Sequence, residues 1–189
     1  MIRLAIVGDI GSGKSYIAEK FGYPVFNADA EVTKLYKTSK KCFVRLKKLL
    51  PQHIISFPIK KNELLKAIMK NQSNLKKITK VIHPEVRIKM NKFLMKNRNK
   101  KIVVLDIPLL LENKINNKND ILIFVDAKKS QINKRLKRRK NFNLKLFKKF
   151  KKIQLPIEYK KKKSQFILKN NFTNKSVKKG VKIILKEIL

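Results

Sequence analysis

A chain that runs from Ile2-Arg3-Leu4-Ala5-Ile6-Val7 directly into Gly8-Asp9-Ile10-Gly11-Ser12-Gly13-Lys14-Ser15 has few folds open to it. The spacing is G-x-x-x-x-G-K-[ST], a loop whose curled backbone cradles phosphate. Three of the chain's five glycines fall here. Successive N–H groups form a concave nest, and the following helix aims its positive end at the same point. Lys14 is expected to reach the β- and γ-phosphates of ATP, and the Ser15 hydroxyl to ligate Mg²⁺. The nucleotide contacts are then Gly8, Asp9, Ile10, Gly11, Ser12, Gly13, Lys14, Ser15 and Tyr16. The flanks agree: Leu4 to Val7 suit a buried parallel strand, and Ile17, Ala18 and Phe21 continue with helical spacing.

Four further apolar runs read as strands: Tyr23 to Phe26, Ile102 to Leu105, Ile121 to Val125, and Phe166 to Leu168. Helical patterns lie between them, so β and α alternate, which implies an α/β chain with a parallel sheet covered on both faces. About 75 residues separate the second run from the third, and they are almost wholly helical in pattern. Val32, Leu35 and Tyr36 are followed by Phe43, Leu46, Leu49 and Leu50, then by Leu64, Leu65, Ile68 and Met69. After His83-Pro84, where the proline is expected to start a helix, Val86 to Leu94 continue the pattern. Such an insertion suits an acceptor-binding part, although a helical cap without a ligand has the same pattern. A second irregular region, Arg135 to Lys163, is dense in cations, with Leu144, Phe147, Phe150, Ile153 and Leu155 at roughly helical spacing. It reads either as a solvated helical hairpin or as a lid that closes over the transferring phosphoryl group and excludes water.

The net charge of +37 suggests nucleic acid or an anionic membrane at first sight. Its makeup argues otherwise, with 42 Lys against 7 Arg and 17 Asn beside them. Base and phosphate readers rely on the planar fork of Arg, whereas Lys is a solvated point charge. The lysines also run along the whole chain, and Lys, Asn and Ile are what A+T-rich codons encode. No apolar stretch approaches the roughly 18 residues a membrane span requires, and nothing basic and apolar precedes the first strand. Cys42 stands alone, without an intrachain partner. The expectation is a cytoplasmic monomer with anionic small-molecule substrates, no specific nucleic acid and no membrane.

Further elements occur in a set order: Asn27-Ala28-Asp29, His83-Pro84, Pro108-Leu109-Leu110-Leu111-Glu112, Arg135 with Arg139, Gln154-Leu155-Pro156, and Asn170. In that order and spacing the chain resembles the dephospho-coenzyme A kinases. Their loop commonly reads GGIGSGKS, with Asp9 here replacing the second glycine, and their D-A-D, H-P, P-L-L-x-E and R-x-x-x-R elements align with those residues. The resemblance covers nearly the whole chain. It implies a three-layer P-loop kinase fold with a five-stranded parallel sheet. Core segments 1–29, 101–134 and 164–189 would carry a helical acceptor-binding insertion of about 30–100 and a lid of about 135–163. The implied reaction moves the γ-phosphoryl of ATP to the ribose 3′-hydroxyl of dephospho-coenzyme A.

The resemblance also implies roles. Asp29 becomes the acceptor of the hydroxyl proton or the carboxylate that orients it, against an alternative as cap of the next helix. Asn27 stands where the relatives carry their first aspartate, which concentrates the chemistry on Asp29. Asp106 would hold Mg²⁺ with Ser15, although a strand-end aspartate capping a turn has the same sequence pattern. Asp29, His83, Pro108, Leu109, Leu110 and Glu112 would line the acceptor pocket. Arg135 and Arg139, one helical turn apart, would grip phosphates, with Arg139 acting beside Lys14 in the transfer. Lys61 stands where an arginine is usual. The rival readings are a kinase for another small acceptor, which predicts neither H-P nor P-L-L-x-E, and a basic nucleic-acid-associated NTPase, which requires aromatics interleaved with Arg.

Overall fold

The computed structural model describes residues 1–138 and 142–189. The chain divides into two compact units, one of Met1–Asn27 with Asn97–Leu189 and one of Ala28–Lys96. Among the described residues the first holds five strands, β1 (Ile2–Gly8), β2 (Val25–Asn27), β3 (Ile102–Asp106), β4 (Ile121–Asp126) and β5 (Phe166–Lys169). All pairings are parallel, in the order β2-β3-β1-β4-β5. The chain passes to β2 and β3 on one side of β1 and to β4 and β5 on the other, so the loop after β1 opens at the switch point where such sheets bind ligands.

The expected strands are present, with two shifted starts: the first begins at Ile2, ahead of Leu4. The second was expected from Tyr23 but begins at Val25, because Pro24 has no N–H to give a ladder. Its carbonyl still accepts from Val104 N at 2.9 Å. Burial on both faces explains the apolar runs: every residue of β3 is buried, and Leu4 to Gly8 of β1 as well. On one face Leu4, Ile6, Ile102, Val104, Ile123 and Val125 pack with Ile17 and Ala18 of α1 (Lys14–Lys20) and with Val177, Val181 and Ile184 of α9 (Asn174–Ile188). The spacing of those last three residues places them on one side of α9. Thr173 caps that helix by accepting from Ser176 N at 3.3 Å. The same unit carries α6 (Lys129–Lys137), α7 (Leu144–Lys152) and α8 (Ile157–Lys163), with α8 against β1 and β4.

The second unit is wholly helical: α2 (Ala28–Thr38), α3 (Lys40–Leu49), α4 (Lys61–Lys70) and α5 (Ser73–Lys96). The first three pack on α5. Its core gathers Leu35, Leu46, Leu50, Ile54, Leu64, Ile68, Ile78, Val81, Ile82 and Met90. Ser39 caps α3 by accepting from Cys42 N at 3.2 Å. Between α3 and α4, Glu63 accepts from Ile55 N at 3.0 Å and from the Ser56 hydroxyl.

The expectation that Pro84 starts a helix is corrected: it lies inside α5, which runs unbroken from Ser73. The buried positions Ile78, Val81, Ile82 and Met90 lie on both sides of the proline, so one packed face spans it. Tertiary burial outweighs the local cost of a proline in a helix, about 3 kcal/mol. The carbonyl deprived of its partner is that of Lys80, an exposed residue.

Candidate active site

The loop from Gly8 to Ser15 curls as its glycines allow. Gly13 sits at φ 95°, and a Cβ there would come within 2.6 Å of Asn170 Nδ2. Only glycine takes that conformation without strain in so close a space. The Asn170 amide donates to Ser12 O at 2.8 Å, so the loop after β5 clamps the turn from below. Ile132 and Leu136 of α6 press on Gly11 from the other side, 3.1 Å from where its Cβ would be. Lys14 Nζ donates to Asp9 O at 2.8 Å and to Gly8 O at 3.3 Å, which holds its ammonium over the mouth of the loop.

Asp106 ends β3 beside this loop. Asn27 of β2 is its register partner, and the Asn27 amide donates to Asp106 Oδ2 at 2.8 Å. The Ser15 hydroxyl lies beside the same carboxyl and favours its charged form. Burial pushes that carboxyl above the ordinary aspartate range, while the Ser15 bond and the Lys14 ammonium pull it part of the way back. The amide at 27 therefore has a physical rationale: an aspartate there would set a second carboxylate against the first, where like charges cannot both ionise cheaply. Ser15 and Asp106 form a donor set of hard oxygens, one of them anionic, next to a phosphate cradle. That chemistry fits Mg²⁺, which is usually held by one or two protein oxygens together with phosphate oxygens and water.

The turn Pro108 to Glu112 follows β3. Leu109 adopts φ 57°, and the turn closes through Asn113 N to Leu109 O at 3.0 Å and Ile115 N to Leu110 O at 3.0 Å. Leu110 is buried, and Pro108 is exposed. A pocket opens between this turn and the loop, lined by Gly8, Lys14, Leu109, Leu110, Glu112 and Lys160. Glu112 is committed to other partners in it: Oε1 takes Lys160 Nζ at 2.6 Å and Leu155 N at 3.1 Å. Lys160 of α8 is only 4% exposed, so the pocket holds a buried cation besides the half-buried Lys14.

The remaining expected residues stand on other elements. Arg135, in the last turn of α6, stacks its guanidinium on Phe172, 4.6 Å from the ring centroid, within the loop that clamps Gly13. Arg139 lies outside the described residues. Tyr16 donates its hydroxyl to Asn174 Oδ1 at 3.1 Å. Asp29 and His83 belong to the helical unit. Asp29 is exposed and lies in the first turn of α2, so it stands within the helix and not at its cap. Its carbonyl accepts from the Thr33 hydroxyl at 2.8 Å. His83 is half-buried inside α5, and burial together with the neighbouring Arg87 lowers its affinity for a proton.

Two lysines escape a reading of the sequence. Lys160 opens a run of four lysines and looks like any other in a chain with 42. Lys151, in α7, reaches Asp9 Oδ1 at 2.6 Å from 142 residues away. The only signal that bears on it is the acid at position 9 of a phosphate loop, which calls for a cation.

Comparison with known proteins agrees with this architecture. The family profile described as dephospho-CoA kinase matches residues 2–176. A protein of Wolbachia pipientis wMel named dephospho-CoA kinase is 32% identical over 187 residues, covering 96% of this chain and 95% of its own. A solved structure from Thermus thermophilus superposes with a TM-score of 0.81 at 27% identity, covering 100% of this chain and 98% of the other. As a likeness of fold alone, dephospho-CoA kinase from Campylobacter jejuni matches with a TM-score of 0.63 at 22% identity, over 98% and 96% of the two chains. By sequence over almost its full length, the chain belongs to the dephospho-CoA kinase family.

Proposed function

We propose that this kinase transfers the γ-phosphoryl of ATP to the ribose 3′-hydroxyl of dephospho-coenzyme A, giving coenzyme A and ADP, the last step of coenzyme A synthesis. The observation that carries the reading is the convergence of Lys14, Ser15 and Asp106 at the end of β1 and β3 in a chain of this family. Phosphoryl transfer asks a protein mainly for positioning and for charge to meet the charge of the transition state. Backbone N–H groups from Gly8 to Ser15 bind the phosphates, and Lys14 supplies a fixed cation. Mg²⁺, held by Ser15 and Asp106, would supply neutralisation of the phosphate oxygens.

Asp29 takes or orients the proton of the acceptor hydroxyl. Its exposed position in the first turn of α2, two residues past the end of β2, supports that assignment. His83 and the turn from Pro108 to Leu110 contact the acceptor. Glu112 acts by anchoring Lys160 and the backbone of Leu155, which holds that turn in place. Arg135, with Arg139, meets the nucleotide from the lid of about 135–163, and the helical insertion of about 30–100 receives the acceptor. The protein works as a cytoplasmic monomer without specific nucleic-acid or membrane partners. Among the described residues no helix is long and apolar enough to cross a membrane.

The test incubates the full chain with ATP, with and without Mg²⁺, and with dephospho-coenzyme A, AMP, CMP, shikimate, RNA or water as acceptor. ADP release and acceptor mass are the readouts, with Asp29→Asn alongside. The expected result is phosphorylation of dephospho-coenzyme A alone, lost in Asp29→Asn while ATP binding persists. ADP formed equally with water, or only with RNA, refutes the proposal.

A further inference from the structure

We infer that Lys151 is a positioning residue of the nucleotide site: its ammonium neutralises the carboxylate that Asp9 places inside the phosphate loop, and so lets that loop accept a polyanion. This rests on the reading of Gly8 to Ser15 as the ATP site. Asp9 occupies the second position of the loop. Its Oδ1 accepts from Ile10 N at 2.7 Å and from Lys151 Nζ at 2.6 Å. Its carbonyl accepts from Lys14 Nζ at 2.8 Å, so two cations from distant parts of the chain converge on one residue.

A carboxylate is a poor choice for that position. The loop works by presenting N–H dipoles to phosphate, and a fixed anion among them opposes the ligand. Asp9 also takes up one of those donors, the N–H of Ile10. Glycine at this position would do neither, so a loop with aspartate requires an adjacent cation that a loop with glycine does not. Lys151 is that cation. Its side chain is 39% exposed, and a pair so open to water adds little to folding. Its weight lies instead in the field at the loop mouth. Because Lys151 stands in the last turn of α7, the pair also ties that helix to the rim of the loop.

A double-mutant cycle on the full chain separates this role from its rivals. Lys151→Met removes the charge and keeps the stem. Asp9→Asn removes the opposing charge and keeps an oxygen for the Ile10 N–H. Affinity for Mg-ATP is measured by calorimetry for the native chain, each single variant and the double, with thermal melts to confirm folding and Lys151→Arg as the variant that keeps the charge. Lys151→Met should bind Mg-ATP about tenfold more weakly, the scale of one uncompensated charge at a partly exposed site. Asp9→Asn/Lys151→Met should return to within about twofold of Asp9→Asn, and Lys151→Arg should bind like the native chain. In steady state the loss should appear in KM for ATP with kcat unchanged. Native-like binding by Lys151→Met overturns the inference. So does a double variant as weak as Lys151→Met, which would mean that Lys151 touches phosphate itself. Lys14→Met is the control: if it binds ATP normally, the reading of the loop fails, and this inference fails with it.

Discussion

Replacing Gly13 by alanine should unfold the loop's support from within. The residue sits at φ 95°, where an L side chain costs about 1–2 kcal/mol. The added methyl would also stand 2.6 Å from Asn170 Nδ2, a distance that backbone and amide cannot share. Asn170 must move, and it holds two contacts: its amide to Ser12 O at 2.8 Å and its Oδ1 from Phe172 N at 2.8 Å. With each bond at about 1 kcal/mol, the total is about 3–4 kcal/mol, or roughly 6–16 °C in melting temperature for a chain of this size. Scanning calorimetry on four proteins dissects it: native, Gly13→Ala, Asn170→Ala, and the double. With the obstructing amide gone, Gly13→Ala should cost only the dihedral strain, about 1–2 kcal/mol. An identical penalty on both backgrounds, or none on either, would refute the reasoning, because it would mean that Asn170 does not limit the space at Gly13.

Other consequences follow from the same site. Lys160→Met strands the Glu112 carboxylate, buried to 9% exposure, and should cost about 3–5 kcal/mol in urea unfolding. Glu112→Gln added to it should recover much of that, whereas a strictly additive loss would deny the pairing. Asp106→Asn should lower turnover by about 100-fold or more while leaving metal-free ATP binding intact, and Mg²⁺ should no longer tighten ATP binding in calorimetry. For His83, burial and Arg87 depress the folded-state proton affinity below its unfolded value. The stability it contributes is therefore present above the unfolded pKa of about 6.5 and is lost as pH falls through the lower folded value. Melting temperature should drop between pH 7.5 and pH 5, and His83→Gln should flatten that drop. An unchanged profile would exclude His83 as its source.

The loop was legible because its requirements are local. Tight curvature, a lysine and a hydroxyl at set spacing are needed wherever such a loop occurs, and Gly8 to Ser15 meet them in the linear chain. The strands were legible for a related reason: a parallel sheet covered on both faces leaves no polar alternation, so β3 appears as an unbroken run from Ile102 to Leu105. Pro84 misleads because local preference and tertiary burial disagree there, and burial of Val81, Ile82 and Met90 prevails. Glu112 is legible as part of the turn beside the loop, but its pairing with Lys160 is not, because the partner comes from a distant helix.

The phosphate loop, the alternation that makes a parallel sheet, the substitution of Asn27 for a family aspartate and the family itself can all be read from the linear chain. These are patterns of spacing, and spacing survives in one dimension. Which charges matter depends on the folded chain. In a chain of 42 lysines each has the same letter, and nothing local separates a solvated one from Lys160, 4% exposed against Glu112, or from Lys151 on Asp9. The worth of a charge is set by its dielectric surroundings and its partner, and both exist only after distant segments have met.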